Sequence, residues 1–155
     1  TGEGPKAQQL ELYDQGFTQA VPHHRALGLR FIDFADGEAT MLLPFAEHLV
    51  GNPETGVLHG GAITSLLDAT CGAAVFMKLQ SPEPIATLDL RIDYLKRGEP
   101  RREVRCKAQC YKVTRHVAFV RGSAYHDDES DPIAAAAGSF IIQGRGPAIV
   151  GRSTP

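Results

Sequence analysis

The sequence predicts an α+β protein in which a curled antiparallel sheet wraps one long apolar helix. Three observations carry this. Residues 60 to 79 repeat apolar side chains at helical spacing. Residues 85 to 142 hold four segments that alternate with period two, separated by turn residues. Ahead of the helix, Asp36-Gly37 stands between two further alternating runs, a hairpin signal. A meander with one apolar face needs an apolar partner, and the helix supplies it.

The elements follow in order. Residues 6 to 16 predict a short N-terminal helix with Ala7, Leu10 and Tyr13 on one side. Pro22 is expected to interrupt the chain, and Leu27, Leu29 and Phe31 to begin a strand that turns at Asp36-Gly37 into Ala39, Met41 and Leu43. Residues 46 to 58, with Gly51, Pro53 and Gly56, read as a loop. The central helix presents Ile63, Leu66, Leu67, Ala74, Val75 and Met77, and at about 1.5 Å per residue it spans roughly 30 Å. The strands after it are expected to bury Ala86, Leu88, Leu90, Ile92 and Tyr94; then Val104, Cys106, Ala108 and Cys110; then Val117, Phe119 and Tyr125; and finally the small residues from Ile133 to Ile142. Ala134 to Gly138 are small on both faces, which permits close approach of another element. With no repeat, linker or low-complexity segment, residues 1 to 155 read as one domain with its core at about 25 to 143.

Composition narrows the function. Sixteen basic and 18 acidic side chains give a formal charge of −2, and the densest basic stretch, KRGEPRREVR at 96 to 105, is interrupted by glutamates. No nucleic-acid partner is expected from that balance. Cys71, Cys106 and Cys110 form no CxxC pair and no even framework, which suits buried thiols in a reducing compartment. The polar start TGEGPKAQQLELYDQ is no signal peptide and no apolar stretch of 18 residues is expected, so the cytoplasm is the expected location, without a membrane partner. His23-His24 and the run HDDESDP at 126 to 132 read as polar loop and solvated turn, and no spaced ligand set points to a metal.

Chemistry concentrates in TGVLHGGAITSLLDATCG at 55 to 72. Gly60 and Gly61 stand where loop becomes helix. They relieve a tight entry, and the same geometry leaves unpaired helix N–H groups that polarise a developing oxyanion. Asp68 lies two turns further on, beyond the reach of capping, among Leu66, Leu67 and Ala69. Either it shares a solvent-facing stripe with Thr64, or it meets a polar partner or a substrate as a general base. Eight residues of helix separate Gly60 from Asp68 by about 12 Å, too far for one reacting centre. Two helices related by a twofold axis bring the mouth of one opposite Asp68 of the other, so a homodimer, or a homotetramer of two such dimers, is expected.

At these residues the sequence resembles the hotdog-fold acyl-CoA thioesterases, in particular the branch similar to phenylacetate-pathway thioesterases. NPETGVLHGGAITSLLDATCG at 52 to 72 matches at Asn52, Gly56, His59, Gly60, Gly61 and Asp68, and IATLDLRIDYLKR at 85 to 97 resembles the strand after the central helix. Asn52 precedes His59 by seven residues, one more than in many members. The resemblance implies the hotdog fold, dimers in which two sheets join, and hydrolysis of an acyl-CoA, with CoA part of the substrate and no cofactor. It implies Gly60 N–H on the thioester carbonyl and Asp68 of the partner chain activating water. It also implies His59 and Asn52 orienting carbonyl or water, and Thr87 lining the site. Arg97, Arg101, Arg102, Lys112 and Arg115 are candidate CoA phosphate contacts. A noncatalytic acyl-CoA sensor of the same fold is the alternative.

Overall fold

In the computed structural model, which describes residues 4–144, the long helix α3 (Gly60–Leu79) stands where the periodicity places it. His59 caps its start by accepting a hydrogen bond from Gly61 N–H, and Gln80 ends it in the left-handed conformation with Lys78 in the last turn. Ten of its residues are buried, among them Leu66, Leu67, Cys71 and Val75. By length and hydropathy α3 is apolar enough to cross a membrane, contrary to the expectation that no such stretch exists. Its apolarity is accounted for by the sheet folded around it.

That sheet has six antiparallel strands in the order β1-β2-β6-β7-β8-β5, the chain numbering being β1 (Arg30–Ala35), β2 (Glu38–Leu43), β3 (Val50–Asn52), β4 (Val57–Leu58), β5 (Ile85–Tyr94), β6 (Val104–Val113), β7 (Val117–Tyr125) and β8 (Ala134–Ile142). The β1–β2 hairpin turns at Asp36-Gly37 as predicted, with Gly37 at φ 66°. Met41, Leu43, Val104, Cys106 and Ala108 form the wall beneath α3.

Several sequence expectations change. Pro22 opens a helix, α2 (Pro22–Leu27), closed by Gly28 in the left-handed region. Proline suits the first helical position, where no N–H bond is lost, so Leu27 is helical and the strand begins only at Arg30. Residues 46 to 58 hold a 3-10 turn, Glu47–Leu49, and the small β3–β4 ribbon. In β7 the buried residues are Ala118, Val120, Ala124 and Tyr125, while Val117 and Phe119 are half-buried on the opposite face. Both faces of that strand are apolar, so alternation alone does not choose between them. The helix packs close, and the small side chains face it. A bulge at Tyr111 sets the pairing, with Cys110 opposite Val120 but Lys112 opposite Phe119.

The N-terminal helix α1 (Pro5–Asp14) runs on into a π-helical turn, Gln15–Gln19, before α2. Asp14 anchors this segment to β1. Its Oδ1 accepts from Phe31 N–H at 2.8 Å and from the Thr18 hydroxyl at 2.9 Å, and its Oδ2 pairs with Arg30 at 2.9 Å. Burial pushes the Asp14 carboxyl up, but these donors outweigh it and hold the group below its ordinary value. Tyr13 and Phe17 then pack on Phe31, Phe34 and Phe76, with ring centroids 5.0 to 5.5 Å apart.

Candidate active site

At the mouth of α3 the first four N–H groups, Gly60 to Ile63, meet different fates. Gly61 N–H donates to His59 Nδ1 at 2.8 Å. Ala62 and Ile63 N–H donate to the His59 carbonyl at 3.0 and 3.4 Å. Among the described residues, Gly60 N–H alone of the four finds no acceptor. The first glycine of the pair therefore retains an unspent donor, and the second does not. Its position is fixed by two hydroxyls on its own carbonyl, Tyr94 at 2.7 Å and Thr64 at 3.0 Å, which also lie 2.7 Å from each other. Tyr94 is a site residue that sequence reasoning missed. It counts there only as one more apolar position of β5.

Because His59 Nδ1 accepts from Gly61, the neutral ring carries its proton on Nε2, which is free to donate. His59 is exposed and lines a cavity of about 290 Å³ with His23, His48 and Ser65, where His23 Nε2 lies 3.0 Å from Ser65 Oγ. Gly60 lines a different cavity, about 460 Å³, with Tyr94, Lys96 and Arg97. The two residues are adjacent in sequence but serve separate cavities flanking the helix mouth.

Asp68 is half-buried, and Thr87 Oγ1 donates to its Oδ1 at 2.8 Å. This contact depends on a bulge in β5. Thr87 pairs with the buried Phe140, Asp89 with Ser139, and Leu88 is left over. The extra residue reverses the alternation, so Ile85 and Thr87 share a face with Leu90, Ile92 and Tyr94. The expected face through Ala86 and Leu88 does not exist. The bulge is accommodated by the small residues of β8: a Cβ on Gly138 would come within 2.8 Å of the Asp89 carbonyl oxygen.

Asn52 stands apart from this pair. It is exposed at the end of β3, and its Oδ1 accepts from Glu54 N–H at 3.0 Å while its carbonyl takes Gly56 N–H at 3.0 Å. The side chain thus shapes the β3–β4 turn, whose register shifts between Val50 and Asn52. Of the expected phosphate contacts, Arg101 pairs with Glu47, and Arg102 with Glu99 and Asp127. Arg97 lies in the Gly60 cavity and forms no ion pair among the described residues.

Other nucleophiles are disfavoured by their surroundings. All three cysteines are buried; burial pushes the Cys106 thiol up to about 12 and Cys71 well above its ordinary range, so neither offers a thiolate. His126 is buried and structural, its Nδ1 2.8 Å from the Glu103 carbonyl and its Nε2 accepting from Glu99 N–H at 2.9 Å. Among the described residues no group of three or more His, Cys, Asp or Glu is arranged to hold a metal.

A long helix wrapped by one antiparallel sheet is the hotdog architecture, and comparison with known proteins places the chain in a family of that fold. Residues 55–133 match the thioesterase superfamily model, and the chain belongs to that superfamily. A Pseudomonas aeruginosa protein of known structure is 45% identical and superposes with a TM-score of 0.77, covering 85% of this chain and 97% of that one. The medium/long-chain acyl-CoA thioesterase YigI of Salmonella typhimurium is 29% identical over 148 residues, 87% of this chain and 94% of the relative. The fold is shared with the phenylacetic acid degradation protein PaaI of Thermus thermophilus, as its N33D mutant, at 23% identity and a TM-score of 0.67 over 78% of this chain and 98% of that one.

Proposed function

We propose that the protein hydrolyses acyl-CoA thioesters to a free acid and CoA, in a site assembled from two copies of the chain. The observation that carries this is the pairing of an unspent Gly60 N–H with a Thr87-oriented Asp68 carboxylate on one helix, eight residues and about 12 Å apart. Gly60 of one copy and Asp68 of the other close that distance. The edge of β5 supports the association: among the described residues it has β8 as its only partner strand, and Leu88, Tyr94 and Leu95 are 56%, 53% and 56% exposed.

In this mechanism Gly60 N–H donates to the thioester carbonyl oxygen and binds it more tightly as negative charge develops. The partner's Asp68 takes a proton from water through the oxygen atom that Thr87 leaves free. The water oxygen bonds to the carbonyl carbon, the C–S bond breaks as the oxyanion collapses, and the proton passes to the departing sulfur. With a thiol pKa of about 8.5, that departure needs little acid assistance. His59 Nε2–H and Asn52 position the mouth loop, and Arg97 is the cation placed to meet a CoA phosphate. CoA is substrate, and no cofactor takes part. Medium- to long-chain acyl groups are the substrates named for the YigI relatives.

The test is thiol release from acyl-CoAs of increasing chain length, with Asp68→Asn beside the parent. Loss of the base lowers turnover at least a hundredfold. A variant within threefold of the parent refutes the role of Asp68, and a parent that binds acyl-CoA without cleaving it is a sensor.

A further inference from the structure

The unspent donor at the helix mouth belongs to a glycine, the residue least able to hold a direction by itself. An N–H that is to meet a developing oxyanion has to keep its aim within about 10 to 20°. Building on the two-chain site, we propose that Tyr94 is a positioning residue for the reaction. It clamps Gly60 from the edge strand, so that the unspent N–H keeps one direction.

Two peptide units meet at Gly60, and each is held. The unit before it carries the unspent N–H, and the carbonyl of that unit, from His59, accepts from Ala62 and Ile63 N–H at 3.0 and 3.4 Å. Those bonds fix the plane and polarise the N–H at its other end. The unit after it begins with the Gly60 carbonyl, against which Tyr94 Oη lies at 2.7 Å and Thr64 Oγ1 at 3.0 Å, the two hydroxyls being 2.7 Å apart. The three oxygens form a closed network, so loss of either hydroxyl weakens the hold of the other. A Cβ on Gly60 would stand 3.5 Å from Tyr94 Oη and 3.6 Å from its Cζ. The tyrosine therefore packs on the side where glycine has no side chain, and the sheet supplies the restraint that glycine lacks. Tyr94 is itself anchored: it pairs with the fully buried Ala134, and the next N–H, of Leu95, donates to the Ile133 carbonyl at 2.8 Å.

The same strand holds the other reactive group. Thr87, on the face of β5 that carries Tyr94, donates to Asp68 Oδ1 at 2.8 Å. Along α3 Gly60 precedes Asp68, and along β5 Thr87 precedes Tyr94, so one strand crossing the helix in the opposite sense grips both groups by hydroxyls. Tyr94 acts through Gly60 as Thr87 acts through Asp68. In the two-chain arrangement each copy of β5 then serves both sites, one through Tyr94 and the other through Thr87.

The experiment compares Tyr94→Phe and Thr64→Val with the parent in three readouts: the backbone N–H order parameter of Gly60 by NMR relaxation, kcat and KM for thiol release, and affinity for the non-hydrolysable thioether octyl-CoA. A rigid backbone gives an order parameter of about 0.85 and a flexible one below about 0.6. Gly60 is expected near the upper value in the parent and clearly lower in both variants. The expected fall in kcat is about tenfold, less than the roughly hundredfold that follows outright loss of such a donor, with KM and thioether affinity within about twofold of the parent. Thr64→Ser, which keeps the hydroxyl, should return kcat to within about threefold of the parent. An order parameter unchanged in both variants, or one that falls while kcat stays within about twofold of the parent, overturns the proposal. If Tyr94→Phe does not fold, Thr64→Val carries the comparison. A parent that cleaves no thioester defeats the hydrolytic function and not the clamp, which the order parameter then upholds or overturns by itself.

Discussion

The two edges of the sheet are treated in opposite ways. At β1 the N-terminal segment closes over the strand, clamped by Asp14 to Arg30 and Phe31 N–H and sealed by the Tyr13–Phe17–Phe31–Phe34 aromatic cluster. At β5, among the described residues, no second strand pairs with the edge, and large apolar side chains stand exposed. One edge is covered by a described segment of the same chain; in the proposed dimer the other meets a second copy. Asp68, held by Thr87 of β5, lies beside that edge, so the proposed two-chain site would tie assembly to catalysis there, whereas the clamp at β1 concerns stability.

The sharpest way to break this contrast is at β5. Leu88→Glu combined with Leu95→Glu places charge on the bare edge, and sedimentation is expected to register monomer. Turnover then falls at least a hundredfold, because Gly60 and Asp68 no longer meet. A folded monomer with parental turnover refutes the shared site.

At the opposite edge Asp14→Ala leaves Arg30 and Phe31 N–H without their acceptor, while Thr18 keeps only the residue-14 carbonyl. A loss of about 2 to 3 kcal/mol is expected in denaturant unfolding, with the sedimentation mass the same as the parent's. A smaller effect is expected from Thr87→Ala, about tenfold in kcat, or roughly 1.4 kcal/mol. Thr87→Ser, which keeps the hydroxyl, should restore most of it. Equal losses in both variants would mean that packing at the bulge matters and the hydrogen bond does not.

The mildest effect is the pH dependence of the clamp. The Asp14 carboxyl is held below its ordinary value, so its contribution to stability is complete above an unfolded value of about 3.9 and is lost as pH falls through the lower folded value. Melting curves from pH 6 to pH 2 should show a decline below about pH 4 that is shallower in Asp14→Asn. Asp33, lowered chiefly by its hydrogen bond to Lys6, contributes in the same direction.

Much of this was legible in the sequence. The limits of α3, the Asp36-Gly37 turn and the apolar face of β6 followed from spacing, because each depends on local chemistry or on a strand with one polar face. Asp68 was conspicuous for a similar reason, as a carboxylate in an apolar run. What escaped was decided by offsets of one residue. The bulge at Leu88 turns Thr87 toward Asp68 and Leu88 to the surface, and the bulge at Tyr111 sets the pairing of β7. A strand whose two faces are both apolar does not declare which one is inward.

The sequence by itself determined the class of architecture, the helix that organises it, and the separation of the candidate pair Gly60 and Asp68, about 12 Å along one helix. Those properties rest on periodicity, helix rise and the chemistry of individual side chains. Only the tertiary structure decided that Gly60, and not Gly61, has an unspent N–H, that Thr87 reaches Asp68, and that His59 and Gly60 serve different cavities. It also decided that the N-terminal aromatics meet Phe76. Each depends on which groups already have partners, and hydrogen-bond satisfaction is settled by contacts between elements distant in the chain.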